Sequence, residues 1–378
     1  MLTVWTHNPI MFYLPILLSK FLGSIAEYVP LMVYVYLIFG DYKKIKRYVR
    51  LKDLIFFGSV CLIYLINYLA YSSNRGVLED TANIFLLATL PFYFLGLLFD
   101  VERYYKELLT ASKFVITLQL LMFITGSLGL TTVAATGDFM YNAYMILPHL
   151  CFVSSFLVKK FSWSNLLFSF LGFLILCACG NRGAIVCFSL YLLTLLFLIN
   201  PKVKYLVSVS VLSVLLYANF EFIVISLISF IDSLGAGVST RALQSIVDNN
   251  FADANGRNEL SDRILEAIEN SGALGYGIMG DRQFLNGAYV HNIILELLVS
   301  YGWVFGILLM LSLIIVILKG YFSSKVFCEK VFLISLVFAG IGKLMFSGTY
   351  LTEIPLFIMI GFAVSLIRKK YEDINYIR

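Results

Sequence analysis

Between residues 54 and 318 the chain holds eight stretches without a single Asp, Glu, Lys or Arg: 54–74, 81–99, 114–137, 139–158, 161–181, 183–201, 205–220 and 297–318. A helix needs about 20 mostly apolar residues to cross the hydrocarbon core of a bilayer. Two further segments, 331–347 and 354–367, are apolar but shorter or interrupted. Continuous apolar runs exclude a closed β-barrel, whose strands alternate over about ten residues. Helices are then the remaining way to satisfy a lipid-embedded backbone. Composition removes the other classes. Hydrophobic residues make up 60% of the 378 and charged residues 13%, against about 25% charged in a soluble domain. A soluble enzyme, a nucleic-acid-binding protein and a disordered chain are excluded. The expected fold is an all-α polytopic integral membrane protein.

Basic residues set the topology. They cluster at Lys43 to Lys52, Arg103 to Lys113, Lys159/Lys160, Lys202/Lys204, Lys319 to Lys330 and Arg368 to Arg378, and these clusters hold 20 of the 28 Lys and Arg. They fall on every second connection, as cytoplasmic loops of alternating crossings must. The C-terminus is therefore expected in the cytoplasm. Residues 9–39 are apolar but contain Pro9, Pro15, Lys20, Glu27 and Pro30. They read as two short spans or one long tilted one, giving about twelve transmembrane helices, or eleven. No basic stretch precedes them, so no cleaved signal peptide is expected. The chain divides into an N-terminal transmembrane bundle at 1–220, a long non-cytoplasmic loop at 221–290, and a C-terminal transmembrane bundle at 291–378.

A 70-residue connection inside a compact protein calls for a function. This one carries nine acids and four arginines, net −5, and no lysine, whereas the cytoplasmic clusters hold 15 Lys and 5 Arg. Arginine suits bidentate binding of phosphate and carboxylate, although depletion of lysine by the positive-inside bias gives the same count. Residues 257–270 read as a helix, with Leu260, Ile264, Leu265 and Ile268 at helical spacing and Gly272 past its end. Gly275, Gly277 and Gly280 mark a flexible turn region. Tyr289 to Ser300 resumes helical spacing, as a half-inserted helix would. The loop contains no cysteine, so no disulfide framework is expected.

A few polar residues stand out. Arg182 begins a span whose N-terminus faces the non-cytoplasmic side, where free N–H groups and the helix dipole favour anions. An interface arginine snorkelling to headgroups would occupy the same place. Glu259 stands four residues before Arg263, the favourable order for a helical ion pair, so Arg263 is expected to be paired at the surface. Arg257 has no acid later in its helix and is the better ligand-binding candidate, with Asp253 as a neighbour in sequence. A histidine on an apolar face commonly serves packing. His291, however, lies at the membrane boundary on the same side as Arg182 and Arg257, and imidazole is the usual general base near neutral pH.

Together these residues resemble the bacterial O-antigen ligase/polymerase family. Asn181-Arg182-Gly183-Ala184 is similar to that family's Ser-Arg-Gly-Ala element. Asn255-Gly256-Arg257, a helix, and Gly275-Tyr276-Gly277 resemble its Ser-Gly-Arg … Gly-x-Gly stretch. His291-Asn292 followed by Gly302 resembles its His-Asn … Gly signature. The residue three after that glycine departs from the pattern: Phe305 stands where the family has a small residue or Tyr. The resemblance covers about 160–318. It implies a C-type-like membrane glycosyltransferase, independent of metals and cofactors, acting on undecaprenyl-diphosphate-linked glycans at the outer face of the bacterial inner membrane. Arg182 and Arg257 would hold the diphosphate and His291 would take the acceptor proton. Arg241, Arg263, Lys343, Tyr289 and Asn292 would give weaker contacts to diphosphate or glycan. The activity implied is that of a polymerase, with a ligase acting on lipid A-core as the alternative. A lipid-linked oligosaccharide flippase is the reading from another class. Partners would be the lipid-linked oligosaccharide, the lipid bilayer, and a chain-length regulator and flippase of the same pathway. No nucleic acid is expected.

Overall fold

The computed structural model describes residues 48–127, 139–159, 161–179, 181–199, 225–226, 228–229 and 257–376. The expected spans over 9–39 and 205–220, and Arg241 in the loop, lie outside the described residues. Every regular element among the described residues is helical. The stretches Leu51–Ala70, Ser72–Leu97, Val101–Ile124 and Ile293–Ser323 are long and apolar enough to cross a membrane, and Asn142–Leu157, Trp163–Ala178 and Arg182–Phe197 are shorter apolar helices. These helices suit an all-α membrane protein.

Helix α1 (Leu51–Ala70) carries its polarity inside out. Its buried residues are Asp53, Tyr64 and Asn67, while Leu54, Ile55, Leu62, Ile63, Leu65, Ile66 and Leu69 are exposed. A water-soluble helix buries its apolar stripe. An apolar outer face with polar groups turned inward is the arrangement that lipid demands. After α1 a short 3-10 turn leads to α2 (Arg75–Ala82), which continues as a π-helical stretch over Asn83–Thr89 and then α3 (Phe92–Leu97). Pro91 stands at the junction of the last two, lacking the N–H that a continuous helix needs.

Helices α4 (Val101–Ser127), α5 (Phe139–Lys159), α6 (Trp163–Ala178) and α7 (Arg182–Ile199) follow, and α8 (Arg257–Asn270) comes after the residues not described. The chain finishes with α9 (Ile293–Ser323), α10 (Phe327–Val337) and α11 (Ile354–Tyr376). Helix α4 begins thirteen residues before its charge-free run, because Glu102, Arg103, Lys106 and Glu107 occupy exposed positions while Val101 and Leu108 are buried. The core runs through α3, α5, α10 and α11 on residues such as Phe92, Phe152, Phe332 and Phe362. Helix α11 meets α3 at Gly96 and Gly361, where an added Cβ would strike the carbonyls of Ile358 and Tyr93. Small residues let membrane helices approach this closely.

One end of the bundle is fastened by charge. The Asp53 carboxylate, 1% exposed, accepts from Arg368 at 2.5 and 2.9 Å and from the Tyr93 hydroxyl at 2.6 Å. Nearby, Lys369 bridges Glu102 at 2.8 Å and Glu329 at 3.1 Å. Removing one member of a buried pair strands the other. Asp53→Ala is therefore expected to lose about 3 kcal/mol, and Asp53→Ala/Arg368→Met to regain most of it. Thermal unfolding of both variants in detergent checks this.

Candidate functional site

The other end is organised by a break in α9. Gly302 has φ 72° and ψ 170°, a conformation essentially confined to glycine. The break leaves the carbonyls of Val299 and Ser300 without their usual helical donors. The segment before α9 supplies replacements: Tyr276 N–H donates to Val299 and Gly277 N–H to Ser300, both at 2.9 Å. The segment can come this close because Gly275 and Gly277 adopt positive φ. At Gly275 a Cβ would meet the backbone of Gly302 and Ser300, and at Gly277 the ring of Tyr71. The glycines read from sequence as a flexible turn are thus sites of close packing, and the turn is pinned.

Pinning continues on its far side. Asn67 on α1 accepts from Ile278 N–H at 2.8 Å. Asn74 donates to the carbonyls of Tyr276 and Ile278 at 2.9 and 3.0 Å, and its own oxygen accepts from Gln283 at 2.6 Å. Helix α8 packs on the same segment, with Ile264 and Ala267 joining Leu285, Val290 and Val299 in a small core. Of its expected apolar face, Leu260 and Ile268 are partly buried there, but Leu265 is exposed.

The half-helix starts at Ile293, four residues later than Tyr289, because Asn292 caps it. The Asn292 side chain accepts from Ile294 N–H at 2.9 Å and Leu295 N–H at 3.4 Å. Asn caps satisfy N–H groups that a helix start leaves open. His291 just before it has φ 57°, uncommon for a residue other than glycine. The imidazole lies against Tyr289, ring centroids 4.0 Å apart. The Arg282 guanidinium sits 5.2 Å from the Tyr289 centroid and pairs with the fully buried Asp281. Asp281 also accepts from Val290 N–H at 3.1 Å. Burial pushes the Asp281 carboxyl above its ordinary range, and the neighbouring Arg282 charge opposes that.

One turn into α9, the buried Glu296 accepts from Thr349 Oγ1 and from Tyr350 N–H. Gly348, with φ 86°, lets the chain turn there. Beside it, Lys343 and Glu353 form an ion pair of 2.6 Å with both side chains largely buried. The Lys343 ammonium also lies 5.7 Å from the Tyr144 ring centroid. The Tyr144 hydroxyl and Phe346 press against Gly183. Gly183 follows Arg182 at the start of α7, and Asn181 caps that helix by accepting from Ala184 N–H at 3.2 Å. Asn-Arg-Gly-Ala is therefore a cap, a first-turn cation, a contact glycine and a fully buried alanine.

The structure thus brings Arg182, Lys343, Tyr289, His291 and Asn292 to one end of the bundle. Arg257 opens α8, which packs there, but its side chain lies outside the described residues. Arg263 is exposed and makes no ion pair with Glu259; in water such a pair is worth too little to hold two long side chains together. Phe305 is 51% exposed. Sequence reading passed over Asp281, Arg282, Glu296, Asn67 and Asn74. Glu296 carried a signal, as the one acid in the apolar stretch from Gln283 to Leu318. Below the broken helix lies an apolar cavity of about 300 Å³, bounded by Ile278, Leu297, Tyr301, Val316, Tyr350 and Ile360 among others. Compared with known proteins, the chain matches no family model, no curated protein and no solved structure.

Proposed function

We propose that the chain is a polysaccharide polymerase of the bacterial inner membrane, transferring a growing glycan from undecaprenyl diphosphate onto the next lipid-linked repeat unit at the outer face. In this reading the membrane is crossed about twelve times, the C-terminus is cytoplasmic and the 221–290 loop is periplasmic. The observation that carries the reading is the placement of His291 at the entrance of a capped half-helix, at the same end of the bundle as Arg182 and Lys343. Among the described residues, Lys113, Lys159, Arg368 and Lys369 stand at the other end. The apolar cavity beneath the half-helix suits a substrate with a hydrocarbon tail and a polar head.

The chemistry follows from the groups present. An acceptor hydroxyl oxygen attacks the anomeric carbon of the donor glycan. The bond from that carbon to the diphosphate oxygen breaks, and undecaprenyl diphosphate leaves. His291 takes the hydroxyl proton. Arg182 and Arg257 stabilise charge gathering on the leaving diphosphate. Lys343 is a lesser contributor, since Glu353 neutralises it.

Deleting the gene and running the surface glycan on a gel tests this. A single capped repeat on the core is expected. Bare core with long carrier-linked chains would identify a ligase instead, and loss of all periplasmic repeat units a flippase.

A further inference from the structure

We propose that the cavity between α1 and α9 is a binding site for a stretch of polyisoprenoid chain, entered sideways from the bilayer. That the chain belongs to the lipid carrier rests on the polymerase reading. One wall is a stripe of α1, Phe56, Val60 and Ile63, and another is a stripe of α9, Leu309, Leu313 and Val316. Each stripe runs along about 10 Å of helix. Helix α11 contributes Phe357 and Ile360. The two walls belong to helices that make little direct contact with each other. Helix α1 is held near its ends instead. Asp53 is fastened by Arg368 and Tyr93, the Tyr64 hydroxyl donates to the Leu78 carbonyl at 2.6 Å, and Asn67 accepts from Ile278 N–H. Between these fastenings Phe56 and Ile63 line the cavity and are also exposed, as is Leu309 on α9. The cavity therefore opens on the outer surface of the bundle, along two of the helices long and apolar enough to cross a membrane.

The lining asks for hydrocarbon. Its hydroxyl groups are engaged within the protein: Tyr301 and Tyr350 pair at 3.0 Å, and Ser312 donates to the Leu308 carbonyl at 2.7 Å. The other lining side chains are apolar. A buried water needs two to four polar partners, and a sugar lodged here would leave its own hydroxyls unpaired. An apolar chain leaves nothing unpaired and supplies the dispersion contacts that an empty cavity forfeits. Size and charge say which chain. The volume of about 300 Å³ stands at the small end of ligand sites, about 300–1,000 Å³, so it takes a short stretch of one chain rather than the paired chains of a phospholipid. The lining also includes Ile278 and Ile293, and Ile293 follows His291 and the Asn292 cap. Arg182 and the start of α8 at Arg257 lie at that end of the bundle. A chain with a diphosphate head can thus keep its tail in the cavity and its head among cations.

Photolabelling of the full-length protein in phosphatidylcholine nanodiscs tests this. One probe is a polyisoprenyl monophosphate with a diazirine in its tail, the other a phosphatidylcholine with the same group in one acyl chain. The polyisoprenyl probe is expected to label Val60 and Leu313, and excess unlabelled polyisoprenyl monophosphate to suppress that labelling. Equal labelling by the phosphatidylcholine probe, untouched by the competitor, overturns the proposal in favour of a resident acyl chain. Absence of label at both positions from either probe overturns it in favour of a cavity filled by the protein itself. Leu313→Trp fills the site. It should abolish the competable labelling and raise KM for the lipid-linked donor by about tenfold or more, with kcat little changed. Leu308→Trp, on the exposed side of the same helix and outside the lining, should change neither. Should Leu313→Trp not accumulate, Val60→Phe on the facing wall gives the same readout. Wild-type KM and labelling in the filled variant refute the site and leave the polymerase reading intact. Competable labelling of a wild-type protein that elongates nothing sinks the polymerase reading and leaves the site standing.

Discussion

Gly302→Ala is expected to prevent the chain from accumulating in folded form. The residue sits at φ 72° and ψ 170°, where a side chain is strained whatever space surrounds it. Here there is no space: a Cβ would run into the carbonyl of Ala273 and the N–H of Gly275. Strain and overpacking together come to about 4 kcal/mol, a large part of the stability of an ordinary domain. The helix can relieve the clash only by straightening, and a straight α9 would reclaim the carbonyls of Val299 and Ser300 from Tyr276 and Gly277. Gly58→Ala is the matching control. It lies within α1 with nothing near its would-be Cβ, so it should be neutral or slightly stabilising. Fluorescence-detected size exclusion of tagged variants compares the two. Equal yields would mean that the break at Gly302 is not essential to the fold.

His291→Asn is expected to reduce glycan elongation by about 100-fold or more while leaving protein levels near normal. Asparagine is the informative replacement because it tolerates the left-handed backbone far better than most side chains. It therefore keeps the geometry of the turn and removes the group that titrates near neutral pH. His291→Ala would confuse the two effects. Chain-length distribution in cells that make normal repeat units is the measurement, with the protein quantified in the same membranes. Long chains at wild-type abundance would remove His291 from the mechanism.

Much of this architecture was legible because lipid simplifies the rules. Charge-free runs located α1, α5, α6, α7 and α9 to within about five residues, whereas the 81–99 run spans the π-helical stretch and α3 but only the end of α2, and α4 starts early on an exposed charged turn at Glu102 to Glu107. Asn181 and Asn292 could be read beside helix starts, and both cap them. Less legible was anything that depends on contact between distant segments. Arg282 was one of four loop arginines with no local reason to prefer it. Its buried place comes from its pair with Asp281 and its contact with Tyr289, in a turn folded by Asn67 and Asn74 from far earlier in the chain. Local reasoning also paired Arg263 with Glu259, where solvent competes successfully for both. The glycines were visible, but spacing alone cannot separate a loose turn from one that must be thin. The backbone at the Gly302 break explains why Gly275 has no side chain, and the ring of Tyr71 explains why Gly277 has none.

The asparagines that pin the turn stand 202 to 211 residues before their partners. A ribosome delivers α1 to the membrane long before the segment that will complete it exists. Until α9 has been made and has broken at Gly302, two amides near the end of α1 lack the partners they will finally hold, and polar groups left unsatisfied away from water are costly. The candidate site is therefore among the last parts of the protein to be assembled. An unfinished chain carries, in Asn67 and Asn74, two amides whose final partners do not yet exist.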